Sequence, residues 1–356
     1  MIRVRIAILL MLCVCISISA SDFDSKMQKA IKLMDNGALE ESLIVLDSLD
    51  NEYPNNYFIK YEIGFAYYLA KDYKKAINIY EKLISHPDAT AQAYQMLGNL
   101  YDDIANPKKA LKTYSKGLKK YPNSGSLYLE IGTTNWKLNN LEKAINAYEN
   151  GINVDANFPS NYYRAAEYML HYGDPVWAIL YAETMVILAP NDKRTSRVSE
   201  IIDDAMNKLV KIMVEKDSLG HNQISLSIFS KSDDALTESA FSMLYQLGLV
   251  SVFTDSASIK IEDGLSLKNM AKMREQAVTA CAGGEIRQLS IISYLKKIID
   301  SGHWMAYNMW LLRFCRMAEA QKWFEENPGA LDAFAEWFNV NPYDPTINPT
   351  LSKVSK

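Results

Sequence analysis

Small residues recur every 34 positions between residues 23 and 192, and no other feature of the sequence restricts the fold as tightly. Ala30, Gly64, Gly98, Gly132 and Ala166 form one column; Ser42, Ala76, Ala110, Ala144 and Ala178 form a second. Larger residues fill the columns between them: Tyr67 and Tyr101 stand with Leu33, Asn135 and Met169, and Leu46, Tyr80, Tyr114 and Tyr148 stand with Ala182. Pro54, Pro122 and Pro190 close three of the five rows, Ala156 closes the fourth, and Pro87 falls one place early in the second. A period of this length marks stacked helix pairs, because each pair buries its apolar face only against its neighbours. Two helices approach closely only where side chains are small, so Gly64, Gly98 and Gly132 mark where each first helix meets its own second helix. Glycine costs about 1 kcal/mol in a helix interior, so its recurrence signals packing that offsets the cost.

These rows resemble the tetratricopeptide repeat, a helix-turn-helix unit with small residues at two crossings, large apolar residues between them and a terminal proline. The resemblance covers residues 23–192 as five rows without insertion. It implies an all-α, right-handed helical solenoid whose first helices line a concave groove. The groove columns it implies carry Met27 and Ile31 in row one, then Phe58, Tyr61, Phe65, Tyr68 and Leu69 in row two. Row three supplies a polar floor of Gln95, Asn99, Asp102 and Asp103, row four Trp136, and row five Tyr163 with Glu167. Aromatic side chains give rigid contact area at low entropic cost, so these columns suit an extended peptide or a partner helix. Ordinary core packing is the competing expectation for any one ring. Relatives that clamp a chaperone C-terminus use Lys and Asn in two of these columns. Here the corresponding pairs, such as Tyr61/Phe65 and Gln95/Asn99, carry no such clamp.

The second helix of row three carries Lys108, Lys112, Lys116 and Lys120 at helical spacing, with Lys109 and Lys119 beside them; row two adds Lys74, Lys82 and His86 in the same columns. Like charges four apart oppose a helix by ~0.2–0.5 kcal/mol per pair, so helix stability does not explain this basic convex strip. A solvated face is one expectation; contact with an acidic partner, an anionic envelope glycan or a lipid surface is the other. Row five has Val176, Leu180, Thr184 and Leu188 where rows two and three carry mostly charge, so something must cover it. The apolar spacing from Val198 to Met213 predicts a capping helix.

The chain opens with a basic start at Arg3 and Arg5, an apolar stretch from Ile6 to Ile16 and small-x-small sites at Ser17-Ile18-Ser19 and Ser19-Ala20-Ser21. This predicts a signal peptide over 1–20, cleaved near Ala20, and a periplasmic or secreted protein; the apolar run is short for a permanent anchor. Leu12 and Val14 precede Cys13 and Cys15 where lipid attachment wants a small residue, so both cysteines leave with the signal. Its loss moves the formal charge from -4 to -6. With 38 basic and 42 acidic residues the chain is no general nucleic-acid binder, and any membrane contact is peripheral.

The predicted organisation is a signal at 1–20, five repeats plus the capping helix over 21–217, and a small, mostly α-helical domain over 218–356 of no recognised family. Alternation at Ile224, Leu226 and Ile228 and at Ile259 and Ile261 predicts two short strands. A helix from Ser232 to Leu247 and further helices over 265–280, 285–300, 303–316, 317–326 and 330–339 follow from periodicity and glycine breaks. Trp304, Trp310, Trp323 and Trp337 are expected as core, with an aromatic pocket or membrane-facing patch as the alternative. A disulfide and two buried free thiols both remain open for Cys281 and Cys315.

His86, His171, His221 and His303 sit in no metal-ligand spacing, and no nucleophile elbow or phosphate-cradling glycine loop occurs, so neither a metal nor another cofactor is expected. Ala280-Cys281-Ala282-Gly283 loosely resembles a cysteine-protease turn, with His221 or His303 as conceivable bases. The expectation is a non-enzymatic, exported scaffold that binds a protein or peptide segment, with glycan or envelope-polymer binding as the alternative and a C-terminal enzyme as a third.

Overall fold

The structure, a computed structural model, describes residues 22–216, 222–224, 226, 235–255, 265–283 and 289–346. The signal segment, the strand expected around Ile259 and Ile261, and His221 lie outside the described residues. The chain forms two compact units that divide between Pro122 and Asn123, at the end of row three.

The first unit contains α1 (22–35), α2 (Leu39–Glu52), α3 (Tyr57–Leu69), α4 (Tyr73–Leu83), α5 (Ala91–Asp103) and α6 (Pro107–Lys120), the helix pairs of rows one to three. Side chains stop the orphan N–H groups at helix starts: Asn56 accepts from Phe58 N–H at 2.9 Å, Asp72 from Lys75 N–H at 3.1 Å and Asn106 from Lys109 N–H at 3.2 Å. At the crossings the glycines do what their column requires. A Cβ on Gly64 would lie 2.8 Å from the Tyr80 ring, and one on Gly98 would lie 2.0 Å from the Tyr114 ring. The apolar core of rows one and two joins Ala30, Met34, Leu46, Leu49, Ile59, Ile63 and Ala66.

The turn between the helices of a pair repeats as faithfully as the crossing. Gly37, Lys71, Ala105 and Asn139 all have φ between 57° and 78°, and they too are 34 residues apart. In each, the residue after the left-handed one donates back to the first helix, as Asp72 N–H does to Tyr67 O and Asn106 N–H to Tyr101 O at 2.9 and 2.8 Å. Row five departs: Gly173 has φ -130°, and Pro175 starts the next helix at once.

The second unit begins with rows four and five, α7 (Gly125–Lys137), α8 (Leu141–Val154), α9 (Pro159–Tyr172) and α10 (Pro175–Leu188). Gly132 repeats the crossing, a Cβ there lying 2.3 Å from the Tyr148 ring. The expected capping helix is α11 (Thr195–Met213). Two three-residue strands follow, β1 (Val214–Lys216) and β2 (Asn222–Ile224), paired antiparallel with Val214 opposite Ile224. β2 meets the strand expected over Ile224, Leu226 and Ile228 only at Ile224; positions 225, 227 and 228 lie outside the described residues. The remaining helices are α12 (Ala235–Asp255), α13 (Leu267–Gly283), α14 (Ser290–Asp300), α15 (Trp304–Leu311), α16 (Met317–Glu326) and α17 (Ala330–Val340).

One apolar cluster runs from Ala144 in α8 to Phe334 in α17, so in the structure no gap separates the repeats from the helices after residue 217. The cause is α10. Its residues Pro175 to Ile187 are all buried, including Val176, Leu180 and Thr184. Trp177 packs on Phe241 of α12 with ring centroids 5.7 Å apart, and α11 covers another side. Glu183, fully buried on α10, forms an ion pair with Arg274 of α13 and accepts from the Tyr307 hydroxyl of α15 at 2.9 Å. Asn308 accepts from Arg274 and donates to Trp304 O at 2.8 Å. Trp304 is buried in this core while Trp310, Trp323 and Trp337 pack half-buried against it.

Two outcomes test this packing. Ala105→Gly relieves a left-handed alanine and should raise stability by about 1 kcal/mol, read as a higher melting temperature. Arg274→Met leaves Glu183 charged and unpaired in the core and should cost about 3–5 kcal/mol in urea unfolding. Adding Glu183→Gln should recover much of that loss.

Candidate functional site

The row-two groove columns stand on α3. Tyr57, Ile59, Ile63 and Ala66 turn one side of the helix into the core, which leaves Phe58, Tyr61, Phe65, Tyr68 and Leu69 on the other. Phe58 is 65% exposed, its ring edge-on to Tyr57 at 5.6 Å, and Leu69 is also exposed. Phe65 and Tyr68 stack with centroids 6.1 Å apart, and Phe65 also rests on the row-one core. Tyr61 is half-buried, 5.4 Å from the Tyr80 ring, and its carbonyl accepts from the Tyr80 hydroxyl at 3.0 Å. Burial, with the nearby charge of Glu62, pushes the Tyr61 phenol up to about 12, so it stays a neutral hydrogen-bonding group.

Row three continues the columns on α5, tied to the start of α3 by a 2.9 Å hydrogen bond between Tyr57 and Thr90 hydroxyls. Gln95, Asn99 and Asp102 are half-buried and Asp103 is exposed. Asn99 accepts from the Tyr114 hydroxyl at 2.7 Å, so its amide oxygen serves the fold as well as any site. Within the first unit, the structure therefore presents a row of aromatics beside a row of amides and carboxylates.

Trp136 and Tyr163 belong to the second unit, and both are engaged there. Trp136 lies half-buried among Tyr148, Tyr168 and Tyr172, with centroids 6.3, 5.9 and 6.0 Å away. Tyr163 donates to Glu167 Oε1 at 2.9 Å, and the Arg164 and Arg194 guanidiniums sit 5.6 and 5.1 Å from its ring. Arg194 is itself forked on Asp192, whose carboxyl it holds down at about 2. The sequence reading of Tyr163 missed this: its column was visible, but Arg194, on the segment after the repeats, was not placed.

Lys74, Lys82, Lys108, Lys112, Lys116 and Lys120 of the basic strip are all exposed. Lys120 lies 5.5 Å over the Tyr121 ring.

Cys281 and Cys315 are free thiols. Cys281 borders a 310 Å³ cavity with Leu289, Ile292, Ser293, Lys296, Lys297 and Asp300. Burial pushes its thiol up to about 12. His303 lies instead against the Phe334 and Trp337 rings. A protonated thiol is a poor nucleophile, and among the described residues that line the cavity there is no imidazole to activate it. Among the described residues no group of three or more His, Cys, Asp or Glu could hold a metal ion, and no helix is long and apolar enough to cross a membrane.

Residues 91–123 and 125–158 match a family model described as tetratricopeptide repeat, and residues 60–89 match a second model of the same description. No curated protein matches the chain. Similar solved structures include TTC0263, a thermophilic TPR protein in Thermus thermophilus, 16% identical over 51% of this chain and 98% of its own, with a TM-score of 0.43. PilW, a type IV pilus biogenesis factor, is 15% identical over 54% of this chain and 92% of its own, with a TM-score of 0.42. YrrB, a TPR protein with an unusual peptide-binding site, is 18% identical over 47% of this chain and 86% of its own, with a TM-score of 0.34.

The thiol chemistry gives a direct test. The folded state holds Cys281 neutral up to about 12, whereas its ordinary value is 9.0, so its contribution to stability is present below pH 9 and is lost as pH rises toward 12. At pH 8, maleimide labelling of Cys281 in the folded chain, read by peptide mass, should be at least about tenfold slower than in denaturant. Equal rates would reopen thiol catalysis.

Proposed function

We propose that this chain, whose residues 60–158 carry tetratricopeptide repeats, is an exported, non-enzymatic scaffold that holds a segment of another protein. The segment lies along the groove columns of rows two and three. The observation that carries this reading is Phe58: an aromatic residue 65% exposed on a capped helix whose other side packs Ile59, Ile63 and Ala66 into the core. Beside it the Phe65–Tyr68 stack and Leu69 extend an apolar track that accepts side chains of an extended or helical ligand. Gln95, Asp102 and Asp103 fix its direction, since amides and carboxylates satisfy a ligand's backbone and cationic groups.

Export is supported by the basic start, apolar stretch and small residues of positions 1–20. The scaffold role, as opposed to catalysis, is supported by the repeat family and by the protonated, deeply placed Cys281.

The test uses the full chain as bait in cell-envelope extract. Phe58→Ala should leave folding stability within about 0.5 kcal/mol, because the ring is mostly in water. It should nevertheless reduce recovery of the captured protein at least about tenfold, as loss of an aromatic anchor does. Unchanged recovery would overturn the groove assignment.

A further inference from the structure

Helix α6 carries Lys108, Lys109, Lys112, Lys116, Lys119 and Lys120, all exposed, and no acidic residue. At 3.6 residues per turn these six fall within about 120° of the helix circumference and along about 18 Å of its length. Ser115, the one other exposed side chain of the helix, lies about 20° outside that sector. Lys109 lies over the Tyr101 ring at 4.9 Å and Lys120 over Tyr121 at 5.5 Å. Among the described residues, Lys108, Lys112, Lys116 and Lys119 have neither an ion pair nor a ring contact. Row two extends the same outward columns with Lys74 and Lys82 on α4.

Folding does not call for this arrangement. Lysines four apart repel along the helix, and Lys108 and Lys109 occupy the helix end where the backbone dipole favours acidic residues. We propose that the α6 strip is a docking surface for an anionic phospholipid membrane. The composition of the strip separates this from the other polyanions. Protein interfaces are built on aromatic, Met and Arg anchors and are depleted of Lys, and this sector has no apolar residue to form such a centre. Lysine is also a flexible, hydrated point charge without the planar fork that reads one particular carboxylate or phosphate. A bilayer surface needs neither pocket nor fork. It attracts any cationic face that comes within about 10 Å at 0.1 M salt, and the exposure of every lysine permits that approach. Each lysine near such a surface raises partitioning about fivefold.

The experiment is vesicle flotation of the full chain with phosphatidylcholine vesicles, with and without about one third phosphatidylglycerol. The parent should prefer the anionic vesicles and be released by salt. Lys108→Gln, Lys112→Gln, Lys116→Gln and Lys119→Gln together should reduce that binding at least about a hundredfold. Because they remove like-charge repulsion, circular dichroism should show the fold retained. A control with Lys268→Gln, Lys272→Gln, Lys297→Gln and Lys322→Gln removes the same charge from exposed positions elsewhere and should bind within about threefold of the parent. The apolar leader is common to every variant and drops out of the comparison. No preference for anionic vesicles, equal binding by the α6 variant, or retention on polyglutamate without vesicle binding would each overturn the proposal.

Discussion

Where a first helix crosses its second helix, a glycine faces a tyrosine ring: Gly64 meets Tyr80, Gly98 meets Tyr114 and Gly132 meets Tyr148. The three tyrosines are almost completely buried. A ring that buries about 150 Å² contributes at most ~4 kcal/mol, which outweighs the ~1 kcal/mol that glycine costs its helix. A Cβ at any of these positions would enter the ring, so the close crossing and the tyrosine stand or fall together. The same tyrosines reach across to the groove side. Tyr80 donates to the carbonyl of Tyr61, and Tyr114 donates to the side chain of Asn99. In rows two and three the contact that closes the helix pair therefore also sets the position of a candidate site residue, which is how the packing of a repeat becomes the geometry of a surface.

Row five keeps the small residues Ala166 and Ala178 but changes what lies outside them. Its second helix buries both sides, and a charged residue on it, Glu183, finds its partner 91 residues later in Arg274. A buried pair of this kind adds little to net stability against a well-packed apolar alternative, because both charges lose their water. Its consequence here is connection: Glu183 ties α10 to α13 through Arg274 and to α15 through Tyr307, and Arg274 also reaches Asn308 of α15. The helices after residue 217 thus complete the second unit's core, and a fragment ending at 217 would expose the whole outer side of α10.

The repeats were legible because steric closeness leaves small residues at fixed intervals, and the basic strip because solvent exposure leaves charge where nothing covers it. The left-handed turns were only half legible: Gly37 and Asn139 are residue types that favour this conformation, but Lys71 and Ala105 are not, and the hydrogen bonds that hold them are formed by the backbone. The groove columns that named Phe58, which is exposed, also named Trp136 and Tyr163, whose surroundings depend on Tyr168, Tyr172 and Arg194. Periodicity reports the direction of a side chain from its own helix and carries no information about what another element lays over it. The C-terminal helices gave up their boundaries, such as 317–326, through local breaks, but their docking rests on pairs far apart in sequence. Glu183 was the available signal, a carboxylate inside the apolar run Val176 to Leu188 that had to find a buried partner.

The most direct measurement is site-specific photocrosslinking of the full chain in intact cells, with the photoreactive side chain placed in turn at position 58 and at position 115. Position 58 lies on the exposed groove side of α3 and position 115 on the outward side of α6. A partner segment held in the row-two groove predicts a discrete crosslinked protein from position 58, lost when Asp102 and Asp103 are replaced by lysine, and no such product from position 115. Absence of a protein adduct at position 58, with one formed at position 115, would contradict it and move recognition off the groove.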